Sequence, residues 1–488
     1  MVWQKLIKQK LALLFLAILI LIALFLALRA FPLGSASKNS EGKAFYITAT
    51  QFRVGHEAEL SVRADLLSRP GKLAVKVLAP GDGAPKVKGR PEDFYGLAGV
   101  QLAWLPPEQR ELEIRLAAAA GAKYIGLDFE WSRIERARGR FDWQETDEIV
   151  ALAKKYGLKL LPMLMSTPRW ASSAPYAVLD YRRSPPVDYN DYRRFVHQVV
   201  SRYKPHGISP LTADGYGITD WVIWNEPINC TSPKSWNAGL REYIRLLKAG
   251  YEGAHSADQR CNVLNGGLAD IFWKGPECAL DRAVALLYDP NGDGDLSEGA
   301  KSYFDTLNLH TYQLAPPTAE WYRGRIQGVL EVMNTYGDGD KKIWLTETGY
   351  GSAEVEDGAW REGPPFFPEA LQASAVPLVY EACAQFEQVE RVFWWSLRDY
   401  YVDYSPTNEA MEAHYGLLRA NFAPKPAYLA YAQMAGKIGE TFAFEQEIGG
   451  KGELRIKIPA SFISKEGTYI VFAWLDDGLA EVAFISAS

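Results

Sequence analysis

A chain of 488 residues with 48% hydrophobic and 23% charged residues can bury one large core and carry attachments. That excludes a disordered chain and a small disulfide-stapled scaffold. A net charge of −6 and a pI near 5.7 argue against nucleic acid as a partner, which calls for a basic surface.

The first feature along the chain is apolar. Lys5, Lys8 and Lys10 precede an unbroken run from Leu11 to Leu28. A helix over that run would be ~27 Å long, close to the ~30 Å of a hydrocarbon core. The apolar part of a cleaved signal is shorter, about 7–15 residues. The expectation is a signal anchor over 11–28, with residues 1–10 in the cytoplasm and the body of the chain outside. Cleavage within Gly34–Ser37, giving a secreted protein, is the alternative. Residues 29–43 read as a linker.

From 44 to 90 the pattern is β-like, in FYITATQFRV and KLAVKVLAP, and it returns over 440–488 in ELRIKIPA, TYIVFAWLDD and EVAFIS. Each piece is short for a domain, so the two chain ends are expected to meet in one small accessory β-sandwich.

Between 91 and 439, strand-like and helix-like segments alternate. The strand candidates are Gly96–Trp104, Lys123–Phe129, Leu158–Leu164, DWVIWN from Asp220, Asn262–Ala269, Phe304–His310, Lys342–Glu347 and Arg391–Leu397. Eight such strands predict a (β/α)8 TIM barrel, whose active site lies at the strands' carboxyl ends. A doubly wound sheet fits less well, because no glycine-rich phosphate loop follows the first strand.

Two of these strands end in a carboxylate. Trp221–Trp224 is an apolar run stopped by Asn225-Glu226-Pro227, where the proline cannot continue a central strand. Ile343, Trp344 and Leu345 lead to Glu347 in the same way. Either glutamate alone could open a solvated loop. Two at two strand ends are what glycoside hydrolysis needs, and no cofactor is implied for that chemistry.

A second oxygen-rich stretch follows. Asp289, Asn291, Asp293 and Asp295 stand at positions 1, 3, 5 and 7 of a calcium-type loop with Gly294 at its turn. Position 12 is Ala300 rather than an acid, so a structural calcium would be weakly held unless Glu298 substitutes; the plain alternative is a solvated acidic loop. Of four cysteines, Cys261 and Cys383 read as core thiols, and Cys230 with Cys278 as the pair to bridge, if any does.

Several segments together carry a resemblance. FEWSRIERARGRFDW (Phe129–Trp143), STPRWAS, WNEPIN, LHTY, WLTETGY, WWSLRD and PKPAY occur in the order found in retaining glycoside hydrolases of clan A. The chain is most similar to family 39, with family 42 sharing part of the pattern, over roughly Asp93 to Gly439. The resemblance implies Glu226 as acid/base, Glu347 as nucleophile, and Asn225, His310, Tyr312, Trp395, Trp170 and Trp131 as residues at the saccharide. Trp394 and Trp395 are neighbours of opposite facing, and the floor of the sugar site could fall to either. One position departs: clan A commonly has an arginine on strand two beside the nucleophile, and Gly126 stands there; Arg133 is a candidate replacement, though an ordinary surface or salt-bridge arginine is the reading favoured for it. A membrane-tethered retaining glycosidase acting on an extracytoplasmic β-linked saccharide is the reading favoured; a binding barrel that has lost turnover is the other.

Overall fold

The computed structural model describes residues 45–64, 71–84, 86–99, 102, 105–177, 180–228, 236–269, 279–313, 316–352, 368–399, 413–448, 452–475 and 480–488. The expected anchor over 11–28, the linker over 29–43 and both Cys230 and Cys278 lie outside these residues. Among the described residues, no helix is long and apolar enough to cross a membrane.

The chain opens with the antiparallel pair β1 (Phe45–Ala49) and β2 (Ala58–Ala64), followed by β3 (Gly71–Pro80), which belongs to a second sheet. It then enters the barrel. Strands β4 (Tyr95–Ala98), β5 (Tyr124–Glu130), β6 (Lys159–Met165), β7 (Asp220–Ile223), β8 (Asn262–Asn265), β9 (Leu268–Ala269), β10 (Leu307–His310), β11 (Ile343–Thr348) and β12 (Val389–Trp395) form one parallel sheet. Its order is β8-β7-β6-β5-β4-β12-β11-β10-β9. A parallel bridge between Leu264 and Thr306 joins its two ends. β8 and β9 are the two halves of one barrel position, parted at Gly266-Gly267, so eight positions close the ring.

Helices cover the outside: α1 (Pro107–Ala120), α2 (Trp131–Ile134), α3 (Gln144–Lys155), α4 (Tyr189–Tyr203), α5 (Leu240–Ala257), α6 (Leu280–Tyr288), α7 (Ala319–Thr335), α8 (Glu369–Cys383) and α9 (Pro426–Met434). Local sequence sets their ends. α1 begins on a proline, which loses nothing by lacking an amide hydrogen there, and ends at Gly121, whose φ of 95° suits glycine. Asp188 caps α4 by accepting from the Asn190 amide at 2.9 Å. The inner face of α4, with Tyr192, Phe195, Val196, Val199, Val200 and Tyr203, is wholly buried, each large side chain contributing roughly 1.5–3 kcal/mol.

The strands are apolar on both faces because the barrel has two cores. One lies between sheet and helices; the other fills the lumen with Ala98, Tyr124, Leu161, Met163, Val222, Leu264, Trp344 and Phe393. In β5 the alternation assigns Tyr124, Gly126, Asp128 and Glu130 to the lumen and Ile125, Leu127 and Phe129 to the helices.

The chain ends meet as expected. β13 (Ile438–Ile448), β14 (Gly452–Ile458), β15 (Gly467–Leu475) and β16 (Ala480–Ala487) return to the N-terminal strands. β14 pairs with β2, while β13 and β15 flank β3, giving two sheets, β1-β2-β14 and β13-β3-β15-β16, around a shared apolar core. The Phe472 and Tyr428 rings, 5.8 Å apart, join this sandwich to α9 of the barrel.

Candidate active site

β7, β10 and β11 deliver the site. β7 stops at Ile223, and the next residues turn sharply: Trp224 has φ 72° and Glu226 φ 41°, in the left-handed region that side chains disfavour. The surroundings hold that strain. Trp224 is fully buried, its ring 4.9 Å from Trp236, and its amide donates to the Leu164 carbonyl at 3.2 Å. The turn aims the Glu226 carboxylate over the lumen.

Register irregularities do the same on the other side. The pairing of β10 with β11 shifts between Leu309 and His310, and that of β11 with β12 between Leu345 and Thr348. Such bulges re-aim side chains at barrel rims. His310 is thereby set beside Glu347. Its ring is seated against Gly267, where a Cβ would lie 1.9 Å from Nε2. The second glycine of Asn265-Gly266-Gly267 is therefore required.

The three groups converge. His310 Nδ1 lies 3.0 Å from Glu226 Oε1 and 3.4 Å from Glu347 Oε2. One oxygen of each glutamate and the imidazole nitrogen all lie within 4.8 Å of one another. His310 Nδ1 thus stands between the two carboxylates, within reach of both. The Tyr312 hydroxyl donates to Glu347 Oε2 at 2.8 Å; burial and the charge of Glu347 hold that hydroxyl well above its ordinary pKa, so it stays a donor. Burial alone would lower the pKa of His310, but the charge of Glu347 and the bond and charge of Glu226 outweigh it, and the net direction is upward.

Of the other residues the resemblance implies, Asn225 flanks Glu226, and its buried Oδ1 has no hydrogen-bond partner among the described residues. Trp395 faces the lumen, its ring 6.2 Å from Tyr312 and 5.1 Å from Tyr415. Trp394 faces the helices, fully buried, and donates to the Tyr415 carbonyl at 3.2 Å. Of the two neighbours, Trp395 is the one on the lumen side.

One expectation is corrected. Trp131 is completely buried, stacked on Phe195, with its N–H donated to Glu135 at 2.7 Å, so no face is left for a saccharide. Trp170 packs edge-on against Trp131 and donates to the Glu135 carbonyl at 2.8 Å, while part of its surface stays exposed. Arg133 has the ordinary salt-bridge role expected of it, pairing with Glu145 of α3 rather than replacing the strand-two arginine. Gly126 sits in the lumen 3.5 Å (to an added Cβ) from Ala98, as bare as the sequence implied.

Two carboxylates escaped the sequence reading. Asp128 and Glu130 follow Gly126 on the lumen face of β5. Asp128 is open to water at the cleft but walled by protein; that enclosure, then the charges of Glu130 and Glu347, push its pKa up to about 7. Glu130 accepts from Ser132 at 3.3 Å and has Arg182 at 3.6 Å. Reading YIGLDFE with period two from Tyr124 would have placed both at the mouth.

The acidic loop folds about Asp289, whose carboxylate accepts from the Gly292, Asp293 and Gly294 amides. Asp293 and Asp295 bind the amides of Asp295 and Ser297. Arg241 lies 2.5 Å from Asn291 Oδ1 and 3.2 Å from Glu298. The donors suit a hard cation in kind, but a guanidinium already contacts two of them. Cys261 and Cys383 are buried free thiols, as expected.

No family model matches the chain. A stretch of 66 residues is 39% identical to a β-galactosidase of Haloferax lucentense, covering 13% of this chain and 10% of that protein. The chain thus matches about a tenth of its curated relative's length. Among solved structures, a family 39 glycoside hydrolase from Bacteroides cellulosilyticus superposes with TM-score 0.52 at 19% identity, over 82% of this chain and 78% of the other. A family 39 β-xylosidase from Caulobacter crescentus gives 0.51 at 15% identity, over 81% and 79%. The chain has their fold, a TIM barrel.

Proposed function

We propose that the chain is a retaining O-glycosyl hydrolase. The observation that carries this is the approach of Glu226 and Glu347, with an oxygen of each within 4.8 Å of the other. Inverting enzymes hold their carboxyls roughly 6.5–9.5 Å apart to admit a water between them; retaining enzymes hold them at about 5–5.5 Å. Glu347, oriented by Tyr312, attacks the anomeric carbon while Glu226 protonates the leaving oxygen. The C–O bond breaks as the glycosyl ester forms. Water then attacks that ester, Glu226 takes the water's proton, and Glu347 leaves. Asn225 Oδ1, with no partner among the described residues, would accept from a sugar hydroxyl, and Trp395 would floor the sugar ring.

A β-linked oligo- or polysaccharide is the proposed substrate, on the strength of the clan A resemblance. The proposed location is outside the cytoplasm, tethered by Leu11–Leu28. Recovery of full-length protein in the membrane fraction would support that tether; a product trimmed near residue 36 and free in the medium would refute it. A weak structural calcium at Asp289, Asn291, Asp293 and Asp295 is the third proposal. Hydrolysis of a panel of aryl glycosides tests the central reading. Release of aglycone by wild type and its loss in Glu347→Ala is the expected result. Saccharide binding without release would instead mean the binding barrel to which Gly126, in place of an arginine, lends some weight.

A further inference from the structure

The hydrogen bonds behind His310 fix where its protons are. The Asn308 side-chain amide donates from Nδ2 to the Asn265 carbonyl at 3.1 Å, and a carbonyl can only accept. Asn308 Oδ1 must therefore be the atom turned to Thr346, and it too can only accept. The Thr346 hydroxyl then spends its one proton on Asn308, at 2.6 Å. What remains at Thr346 Oγ1 is a lone pair, 3.0 Å from His310 Nε2. So Nε2 carries a hydrogen in every charge state of the ring, and Nδ1 is the nitrogen that gains or loses one. All four side chains are buried: Asn265, Asn308 and His310 have no exposed surface and Thr346 has 4%. Solvent therefore offers no substitute partner.

Nδ1 is the nitrogen that faces both glutamates. In the reading above, negative charge resides on Glu347 before glycosyl transfer and on Glu226 after it, because one becomes an ester as the other gives up its proton. A proton on Nδ1 would pair with whichever carboxylate is charged, without moving. We propose that His310 works as a stationary imidazolium, held by the Asn265–Asn308–Thr346 chain, that neutralises Glu347 in the first half-reaction and Glu226 in the second. This rests on the retaining-hydrolase reading. Atoms balance without it as a donor: the proton delivered to the leaving group comes from Glu226 and returns to Glu226 from water.

The groups facing the ring favour the charged form. They are Glu226 beyond β7 and Glu347 on β11, with Tyr312 on its own strand and, further off, Asp128 across the lumen and Tyr243 of α5 behind Gly266. Thr346 makes the chain testable, since it touches His310 and neither reacting atom. Loss of its oxygen leaves the Nε2 hydrogen unpartnered. A hydrogen bond to a charged group corresponds to roughly one to two pKa units.

The test is a pH titration of the whole chain with ring-15N histidine by NMR, six histidines in all, His310 being assigned by its loss in His310→Gln. Wild type should show both ring nitrogens protonated at pH 7 and, once deprotonated, hydrogen on Nε2. In Thr346→Val the titration should fall by about one unit or more, with the neutral ring now protonated on Nδ1. The basic limb of kcat/KM should move with it, and Thr346→Ser should restore both. A neutral His310 at pH 7 in wild type, or a titration unmoved by Thr346→Val, overturns the proposal. Should Thr346→Val not fold, the wild-type titration still decides. Absence of hydrolysis by wild type would fail the retaining-hydrolase reading alone, because the ring's protonation is read without substrate.

Discussion

The two ends of the barrel treat charge in opposite ways. Among the described residues, charged groups at the amino ends of the strands are held in ion pairs or hydrogen bonds. Arg391 pairs with Asp93 and Glu390 and lies over the Tyr124 and Trp344 rings; Lys123 meets Glu92; Asp220 takes the Tyr124 hydroxyl and the Asn262 amide. At the carboxyl ends, Glu226, Glu347, Asp128 and Glu130 crowd one mouth, and the ionisable group set between the first two is a histidine. Strained backbone at Ser166, Trp224 and Glu226 gathers at that same end. The lesson is one of division of labour: one rim is assembled for folding, and the other gives up stability to hold reactive groups in place.

The sharpest way to break this comparison is at the mouth. Glu347→Ala should lower turnover by at least about 10⁴-fold, because no covalent glycosyl-enzyme can form, while melting temperature is unchanged or higher. Glu226→Ala should cost about 10²–10⁴-fold on substrates with poor leaving groups. On an activated aryl glycoside the first step should survive, an ester mass should build up on Glu347, and azide should hasten its release. Full activity in both variants would sink the assignment.

The opposite rim should answer with stability alone. Arg391→Met leaves Asp93 and Glu390 without their guanidinium and should cost about 3 kcal/mol of unfolding free energy. Turnover per folded molecule should stay near wild type. A large loss of turnover at full stability would erase the distinction between the ends.

Asp128 provides a finer probe. Its pKa stands near 7 in the folded chain, against an ordinary value of 3.8. The folded state therefore holds a proton that the unfolded chain releases, and stability should decline as pH rises from about 4 through 7. Asp128→Asn should remove that decline and raise the melting temperature modestly at pH 8. An unaltered pH dependence in the variant would mean that Asp128 carries no such penalty. Smallest of all should be the effect at the acidic loop between α6 and β10. Calcium in place of chelator should raise the melting temperature slightly by linkage and leave saturated activity alone. Superimposable curves would remove calcium from the molecule's description.

How much of this was legible in the sequence follows from what sets each feature. The barrel strands were readable because burial on both faces leaves continuous apolar runs, and Glu226 was readable because Pro227 marks the strand's end. The accessory sandwich was readable in outline from composition at the two chain ends. Trp131 was misplaced because only the resemblance put it at the saccharide; counted in period two from Tyr124 it falls with Phe129 on the helix face. Asp128 and Glu130 were passed over because Gly126 breaks the apolar lumen phase just before them. The chain behind His310 was invisible: Asn265, Asn308 and Thr346 come from three strands and meet only in the closed barrel.

The central claim is a double displacement between Glu226 and Glu347. Following the anomeric proton of the first-formed product by NMR, before mutarotation, tests it most directly. Retention of the substrate's configuration is the result predicted from carboxylates this close. Inversion at that carbon would contradict it, whatever the barrel looks like.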